Sequence, residues 1–330
     1  MKITEEQKQL FAILGSKLPG NLRLSDVVQE LFGVRSNSAY RRIRGETELS
    51  FSELRKLGDR FNLSIDEMLS HRSISGALFR YNLLSLSDPE SYIGQMQRML
   101  NILNALKSAS DKEIVYTARS IPFYHLVMQP ELAFFNLYIW SNTLHCVNVS
   151  YESFCKKLDK EKILPMYQKI HQAFMAIPSK EICTVHTIGY SLRLLEYSFV
   201  TGAFEKKNTV LFLLNKLSEL LATVQKYAAC GHKGGRLKTP YTMYNCSVDL
   251  DNNSMMARNE NRYSLFIRLH TVNFIETDNE ELCKATLQWN NDLISKSAPI
   301  GGESSHKQRL RFFEQANSRI EALVHKVKSF

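Results

Sequence analysis

The feature that most constrains the fold is a tight glycine turn between two short helical patterns near the N-terminus. Val28 and Leu31 belong to an apolar helical stripe that ends at Gly33, and a second helical pattern follows over about residues 37–44. Glycine just past a helix is a common termination signal, because it takes the left-handed conformation without strain. Two short helices joined by so tight a turn predict a helix-turn-helix.

Helix-start signals surround this pair. A Ser or Thr followed three positions later by Glu or Gln can form a capping box, in which the two side chains bond each other's backbone amides. Three such pairs occur, at Thr4 with Gln7, Ser50 with Glu53 and Ser64 with Glu67. With the helical patterns they predict five short helices in the first seventy residues, starting near Thr4, at 24–31, at 37–44, after Ser50 and at 65–69.

The third of these helices carries the candidate binding residues. Ala39 and Ile43 are four residues apart and define its buried side, so Arg41 points away from the core. The outward side chains are of the types that contact bases and phosphates. We expect Asn37, Ser38 and Arg41 near the bases, and the phosphates near Tyr40, Arg42 and Arg44. The full candidate DNA-binding set is Arg35, Ser36, Asn37, Ser38, Tyr40, Arg41, Arg42 and Arg44.

A family resemblance covers about residues 5–70. The shared features are the apolar second helix ending at Gly33, the Ile43 anchor, Gly45 after the third helix and the closing segment FNLSIDEML. This region resembles the lambda-repressor/Cro-like (XRE-type) helix-turn-helix domain. One departure is that only Arg44 separates Ile43 from Gly45, where the usual pattern has two residues.

The whole chain resembles helix-turn-helix regulators of the Bacteroidetes, with AYRRIRGE followed by a long helical C-terminal region. The resemblance implies a transcription factor whose partner is double-stranded DNA, and no known effector. Repressors of this type bind two-fold sites as dimers, so we also expect a homodimer. The alternative is a helical protein-interaction adaptor in which DNA binding is secondary or absent.

The rest of the chain predicts a larger domain. We expect a helix-turn-helix domain at 1–70, a linker at 71–88 and a dimerisation and effector domain at 89–330. The fold class expected is mainly α, with a short strand at 113–121 and a small β-hairpin within 241–258. The helical patterns lie at about 89–107, from Pro130, and at 151–176, 178–202, 205–229, 263–275, 279–295 and the C-terminus.

The last helix carries two heptad rows. Leu310, Asn317 and Val324 are seven apart, as are Phe313, Ile320 and Val327. Such a seam fits a coiled-coil dimer contact, with Asn at one core position. It spans under three heptads, so packing against the helix's own domain is the competing interpretation.

Catalytic and cofactor signals are weak. The six cysteines form no CxxC pair, the nine histidines form no metal-binding spacing, and the sequence predicts no enzyme, metal or cofactor. The loop GHKGGRLKTP suits an anion but lacks the P-loop pattern, and a surface loop is the simpler interpretation. The aromatic residues suggest either a ligand pocket for a small-molecule effector or ordinary core: Phe123, Tyr124, Phe134, Phe135, Tyr138 and Trp140.

The charge and the hydropathy of the sequence indicate the kind of binding partner and the cellular compartment to expect. The net charge of +9 favours a polyanionic partner. Arg35, Arg41, Arg42 and Arg44 lie within ten residues with no acid between them. No apolar run approaches the length of a membrane span, and the N-terminus lacks a signal-peptide pattern, so we expect a cytoplasmic protein with no membrane partner.

Overall fold

The structure is a computed structural model, and it describes residues 3–16, 18, 22–61, 76–85, 90–145, 149–269, 273–302 and 305–330. The chain divides into two compact units, at residues 1–78 and 79–330. Within the described residues, none of the helices combines the length and the apolar character that crossing a bilayer requires.

Unit 1 is built from short helices around one small core. The described helices are α1 (Ile3–Ser16), α2 (Leu24–Phe32), α3 (Ser36–Ile43) and α4 (Phe51–Phe61). Their buried core consists of Leu10, Phe11, Leu14, Val28, Ala39 and Leu57. The predicted fifth helix at 65–69, with Ser64 and Glu67, lies outside the described residues.

The capping box predicted at Ser50 is confirmed. The Glu53 amide donates to Ser50 Oγ at 3.2 Å, and the Ser50 amide donates to Glu53 Oε2 at 2.9 Å. These two bonds satisfy amides that the first turn of α4 leaves without helical partners.

Unit 2 contains an eight-stranded mixed sheet with the order β1-β7-β6-β5-β2-β3-β4-β8. The strands are β1 (Arg80–Tyr81), β2 (Lys112–Ala118), β3 (Ser179–Cys183), β4 (Tyr241–Asn245), β5 (Ser254–Asn259), β6 (Arg262–Leu269), β7 (Asn273–Thr277) and β8 (Ala298–Pro299). The pairs β2–β3 and β3–β4 are parallel, and the other neighbours are antiparallel.

Helices cover both faces of this sheet. They are α5 (Glu90–Ser108), α6 (Phe123–Leu126), α7 (Pro130–His145), α8 (Tyr151–Lys157), α9 (Lys160–Met175), α10 (Thr187–Val200), α11 (Lys207–Cys230), α12 (Glu280–Ser295) and α13 (His306–Ser329). Helix α12 packs on one face, where Val115, Ile182 and Leu265 form a small core. The other helices contribute to the large core on the opposite face, which includes Ile114, Tyr116 and Phe266.

The expectation of a mainly α fold with one small hairpin is therefore wrong, and unit 2 is α/β. The predicted helix at 263–275 is replaced by β6 and β7. Leu265 and Phe266 are both buried, one on each face, so the strand lacks the alternation that marks a half-exposed strand. The predicted helix at 178–202 begins instead with β3, and its helical part is α10.

The hairpin prediction is wrong in its pairing. Both of its strands exist, as β4 and β5, but they are not neighbours in the sheet. Strand β4 pairs with β3, and β5 pairs with β2 and β6. The short strand predicted at 113–121 is confirmed as β2.

The last helix packs within unit 2. In α13, the residues Phe313, Ile320 and Val327 of one heptad row are buried in the large core. In the other row, Leu310 is 42% exposed, and Asn317 and Val324 are half-buried. Packing against its own unit is thus the interpretation that the structure supports, because the more apolar row is already covered.

The first strand of unit 2 lies in the segment expected to be a linker. Arg80 and Tyr81 pair with Glu276 and Ile275 of β7. Arg80 Nε also donates to Glu276 Oε1 at 3.0 Å. Three residues beyond β1, the Leu84 amide donates to Asn273 Oδ1 at 2.9 Å.

Candidate nucleic-acid interface

The turn before α3 fixes where that helix starts. Gly33 has φ +66°, a left-handed conformation that favours glycine, and its amide donates to the Gln29 carbonyl at 2.9 Å. The Val34 amide donates to the same carbonyl at 3.2 Å. The chain therefore reverses within three residues and enters α3 at Ser36.

Helix α3 has one buried and one exposed side. Ala39 is fully buried in the core of unit 1, and Ile43 packs against it. The exposed set, called here the outer face of α3, comprises Arg35, Ser36, Asn37, Tyr40, Arg41 and Arg44. Ser38 and Arg42 are half-buried and are not part of that set. The structure thus leaves six of the eight predicted site residues exposed.

Arg42 is held inside unit 1. Its Nε donates to Glu53 Oε1 at 2.9 Å, and its Nη1 lies 3.3 Å from the Ser38 carbonyl. The two side chains of this ion pair are 18% and 14% exposed. Burial raises the pKa of Glu53, but hydrogen bonds from Ser50 and the charge of Arg42 outweigh it and hold the pKa below its usual value. Arg42 therefore joins α3 to α4.

Glu46 lies beside the outer face of α3. Its carboxylate is 3.1 Å from Arg44 Nε and 3.8 Å from Arg41 Nε. All three side chains are exposed, so these pairs contribute little to stability. They do place a negative charge next to two of the arginines, which reduces the attraction of this surface for an anion.

Gln7 is a positioning residue that the sequence interpretation missed. Its Nε2 donates to the carbonyls of Arg42 and Thr47 at 2.7 Å each, and its Oε1 accepts from the Leu49 amide at 3.1 Å. The side chain is buried. It therefore fastens the C-terminal end of α3 and the following loop to α1, which is not the capping role expected from its spacing to Thr4.

The aromatic residues predicted as pocket or core divide between the two. Phe123 and Tyr124 line a cavity of about 100 Å³ in unit 2. The other four are buried in the large core: Phe134, Phe135, Tyr138 and Trp140. The cavity also has residues from α5 and from four strands in its wall.

A buried polar network lies in the same core. Glu181 on β3 is 2.7 Å from His125 Nε2 and accepts from the Tyr241 hydroxyl at 2.8 Å. Burial raises the pKa of Glu181, but its interactions with His125, Tyr241 and Lys233 outweigh burial and lower it. The three bonded residues are at most 1% exposed, so the network is closed to solvent.

Of the two lysines in the loop GHKGGRLKTP, Lys233 is not available to an external anion. Lys233 is 1% exposed, and its Nζ donates to the carbonyls of Phe174 and Ile177, the former at 2.8 Å. It also lies 3.4 Å from the centre of the Phe174 ring. Lys233 therefore binds the C-terminal end of α9, where the helix dipole favours a cation.

Comparison with protein-family models, with curated proteins and with solved structures finds no match to this chain.

Proposed function

We propose that this chain is a sequence-specific, DNA-binding transcriptional regulator that acts in the cytoplasm as a homodimer. The observation that carries the proposal is the outer face of α3, where three arginines, an asparagine, a serine and a tyrosine are all exposed. An ordinary solvated helix face would more often carry Glu and Lys.

The dimensions of α3 suit a DNA groove. Its eight residues give a length of about 12 Å, close to the width of the major groove. In this proposal Asn37 and Arg41 reach base edges, because Asn pairs well with adenine and Arg with guanine. Arg35, Tyr40 and Arg44 contact phosphates and fix the orientation of the helix. Arg42 is left out, since its ion pair with Glu53 occupies it.

The test is selection of bound sequences from a randomised duplex pool by the full-length protein, with affinities measured at two salt concentrations. We expect one enriched motif with two-fold symmetry, and a Kd that rises steeply with salt. Arg41→Ala should cost about 1–3 kcal/mol of affinity for that motif and relax the preference at one base pair.

The matched control is Arg60→Ala. Arg60 is an exposed arginine in α4, seven positions and about 10 Å along the helix from Glu53. The Arg60→Ala substitution removes the same positive charge as Arg41→Ala, but at a position outside α3. Failure to bind any duplex at low salt would reject the proposal and favour the protein-interaction adaptor. Equal losses for the two variants would show that Arg41 does not read a base.

A further inference from the structure

The cavity in unit 2 lies between α5 and one face of the sheet. Tyr116, Met255 and Phe266 are direct register partners across β2, β5 and β6, so they form a continuous floor. Met96 and Leu103 of α5 are seven residues apart and face them from the other side. The wall is therefore mainly apolar, and it excludes ligands that are polar over their whole surface.

One part of the cavity wall is polar and firmly held. Asn253 Oδ1 accepts from the Ser120 amide at 2.8 Å. Asn253 Nδ2 donates to the Ser120 carbonyl at 3.2 Å and lies 3.1 Å from Ser120 Oγ, so both ends of the Asn253 amide are held by Ser120. Arg268 Nη1 donates to the same Ser120 hydroxyl, and the Arg268 amide donates to the Asn253 carbonyl at 2.9 Å. Asn253 and Arg268 both line the cavity, so a guanidinium and an amide meet the apolar floor at one point.

We propose that this cavity binds a small apolar carboxylic acid, with its carboxylate at Arg268 and its hydrocarbon part over Tyr116, Met255 and Phe266. A guanidinium fork matches carboxylate geometry and forms strong, charge-assisted hydrogen bonds. Contact between the hydrocarbon part of the ligand and the apolar floor favours binding, because it removes apolar surface from water.

The volume sets the size of the ligand. A cavity of about 150 Å³ lined by apolar side chains in another protein is known to bind benzene. The cavity here is smaller, at about 100 Å³, so it suits a short hydrocarbon chain rather than an aromatic ring. This binding goes beyond the proposed DNA contact and does not depend on it, because every residue involved lies in unit 2.

The experiment is an NMR titration of the full-length protein with four probes: butanoate, 3-methylbutanoate, and their neutral counterparts butan-1-ol and 3-methylbutan-1-ol. We expect both acids to bind saturably and more tightly than the alcohols. Arg268→Gln should weaken the acids about tenfold or more, since it removes a charged hydrogen-bond donor. The same variant should change alcohol affinity by less than about threefold, because the apolar floor is intact.

Two further variants keep the test decisive. Arg262→Gln makes the same charge change about 20 Å earlier in β6, at an exposed position, and should leave all four affinities unchanged. Met99→Trp fills the cavity from α5 and should abolish binding of acids and alcohols alike. The proposal is overturned if neither acid binds at about 10 mM, or if folded Arg268→Gln protein loses acids and alcohols equally.

Discussion

Arg42 Nε lies 2.9 Å from Glu53 Oε1, and this ion pair connects the end of α3 to the first turn of α4. Because Glu53 also caps α4 through Ser50, one carboxylate holds two helices. The pair explains why an arginine in the middle of a basic cluster is turned away from the outer face of α3.

Arg42→Ala should therefore act on stability. We expect unit 1 to lose about 1–3 kcal/mol, since Glu53 is left half-buried without its charged partner. Hydrogen exchange at the Glu53 amide reports this loss. The dependence of DNA affinity on salt should stay as in the unchanged protein. If the slope of log affinity against log salt concentration became shallower by about one, with hydrogen exchange unaltered, Arg42 would instead contact a DNA phosphate.

Glu46→Gln should tighten DNA binding by about two- to fivefold at low salt, because it removes a negative charge beside Arg41 and Arg44. The matched control is Glu48→Gln, an exposed acid two residues away that forms no ion pair within the part of the chain that the structure describes. Fluorescence anisotropy with a labelled duplex measures both. A gain no larger than that of Glu48→Gln would contradict a local effect on the arginines.

Gln7→Met should loosen the end of α3. It removes the partners of two backbone carbonyls and one amide in a buried setting, at a cost of roughly 2–4 kcal/mol. Faster hydrogen exchange at the Leu49 amide, together with weaker DNA binding, is the expected result. Gln29→Met is the control, since the hydrogen bonds that the structure describes for the Gln29 side chain stay within its own helix. Unchanged exchange at Leu49 would show that the loop is held by other contacts.

The stability of unit 2 should fall in mild acid. Burial, with the nearby charges of His125 and Lys233, lowers the pKa of His171 to about 4 from its usual 6.5. Between these values the unfolded chain binds more protons than the folded one, so stability decreases as the pH falls from 6.5 towards 4. The loss over this window should be roughly 2–3 kcal/mol.

Denaturant unfolding at several pH values measures this dependence. Both tryptophans, Trp140 and Trp289, belong to unit 2, so their fluorescence reports on this unit. His171→Gln should flatten the pH dependence, and His306→Gln, at an exposed position, should not. Identical curves for all three proteins would exclude His171 as the cause.

Helices α2 and α3 and the turn between them could be predicted because their determinants are local. Gly33 and the Ser50–Glu53 box act over three or four residues, and the apolar spacing of α2 is visible in any short window. The outer face of α3 could be predicted for the same reason, from Ala39 and Ile43 alone. The orientation of the Arg42 side chain could not be predicted in this way, because its partner Glu53 belongs to another helix.

The sheet could not be predicted, because its strands gain their stability from distant partners. Strand β2 pairs with β3, although four helices separate the two strands in the chain. Strand β6 is buried on both faces, which removes the alternation of a typical strand. Glu181 adds a charged residue to a buried strand. Its bonding partners His125 and Tyr241 lie 56 and 60 positions away in the chain, so no local pattern shows that the charge is satisfied.

The bond from Leu84 to Asn273 has a mechanical consequence. Asn273 is part of the cavity wall, and Leu84 lies three residues beyond β1, the edge strand of the sheet in unit 2. A molecule that turned the Asn273 amide would take away the acceptor of the Leu84 amide. Filling the cavity and releasing the chain that follows β1 would then be one movement within unit 2, transmitted through a single side chain.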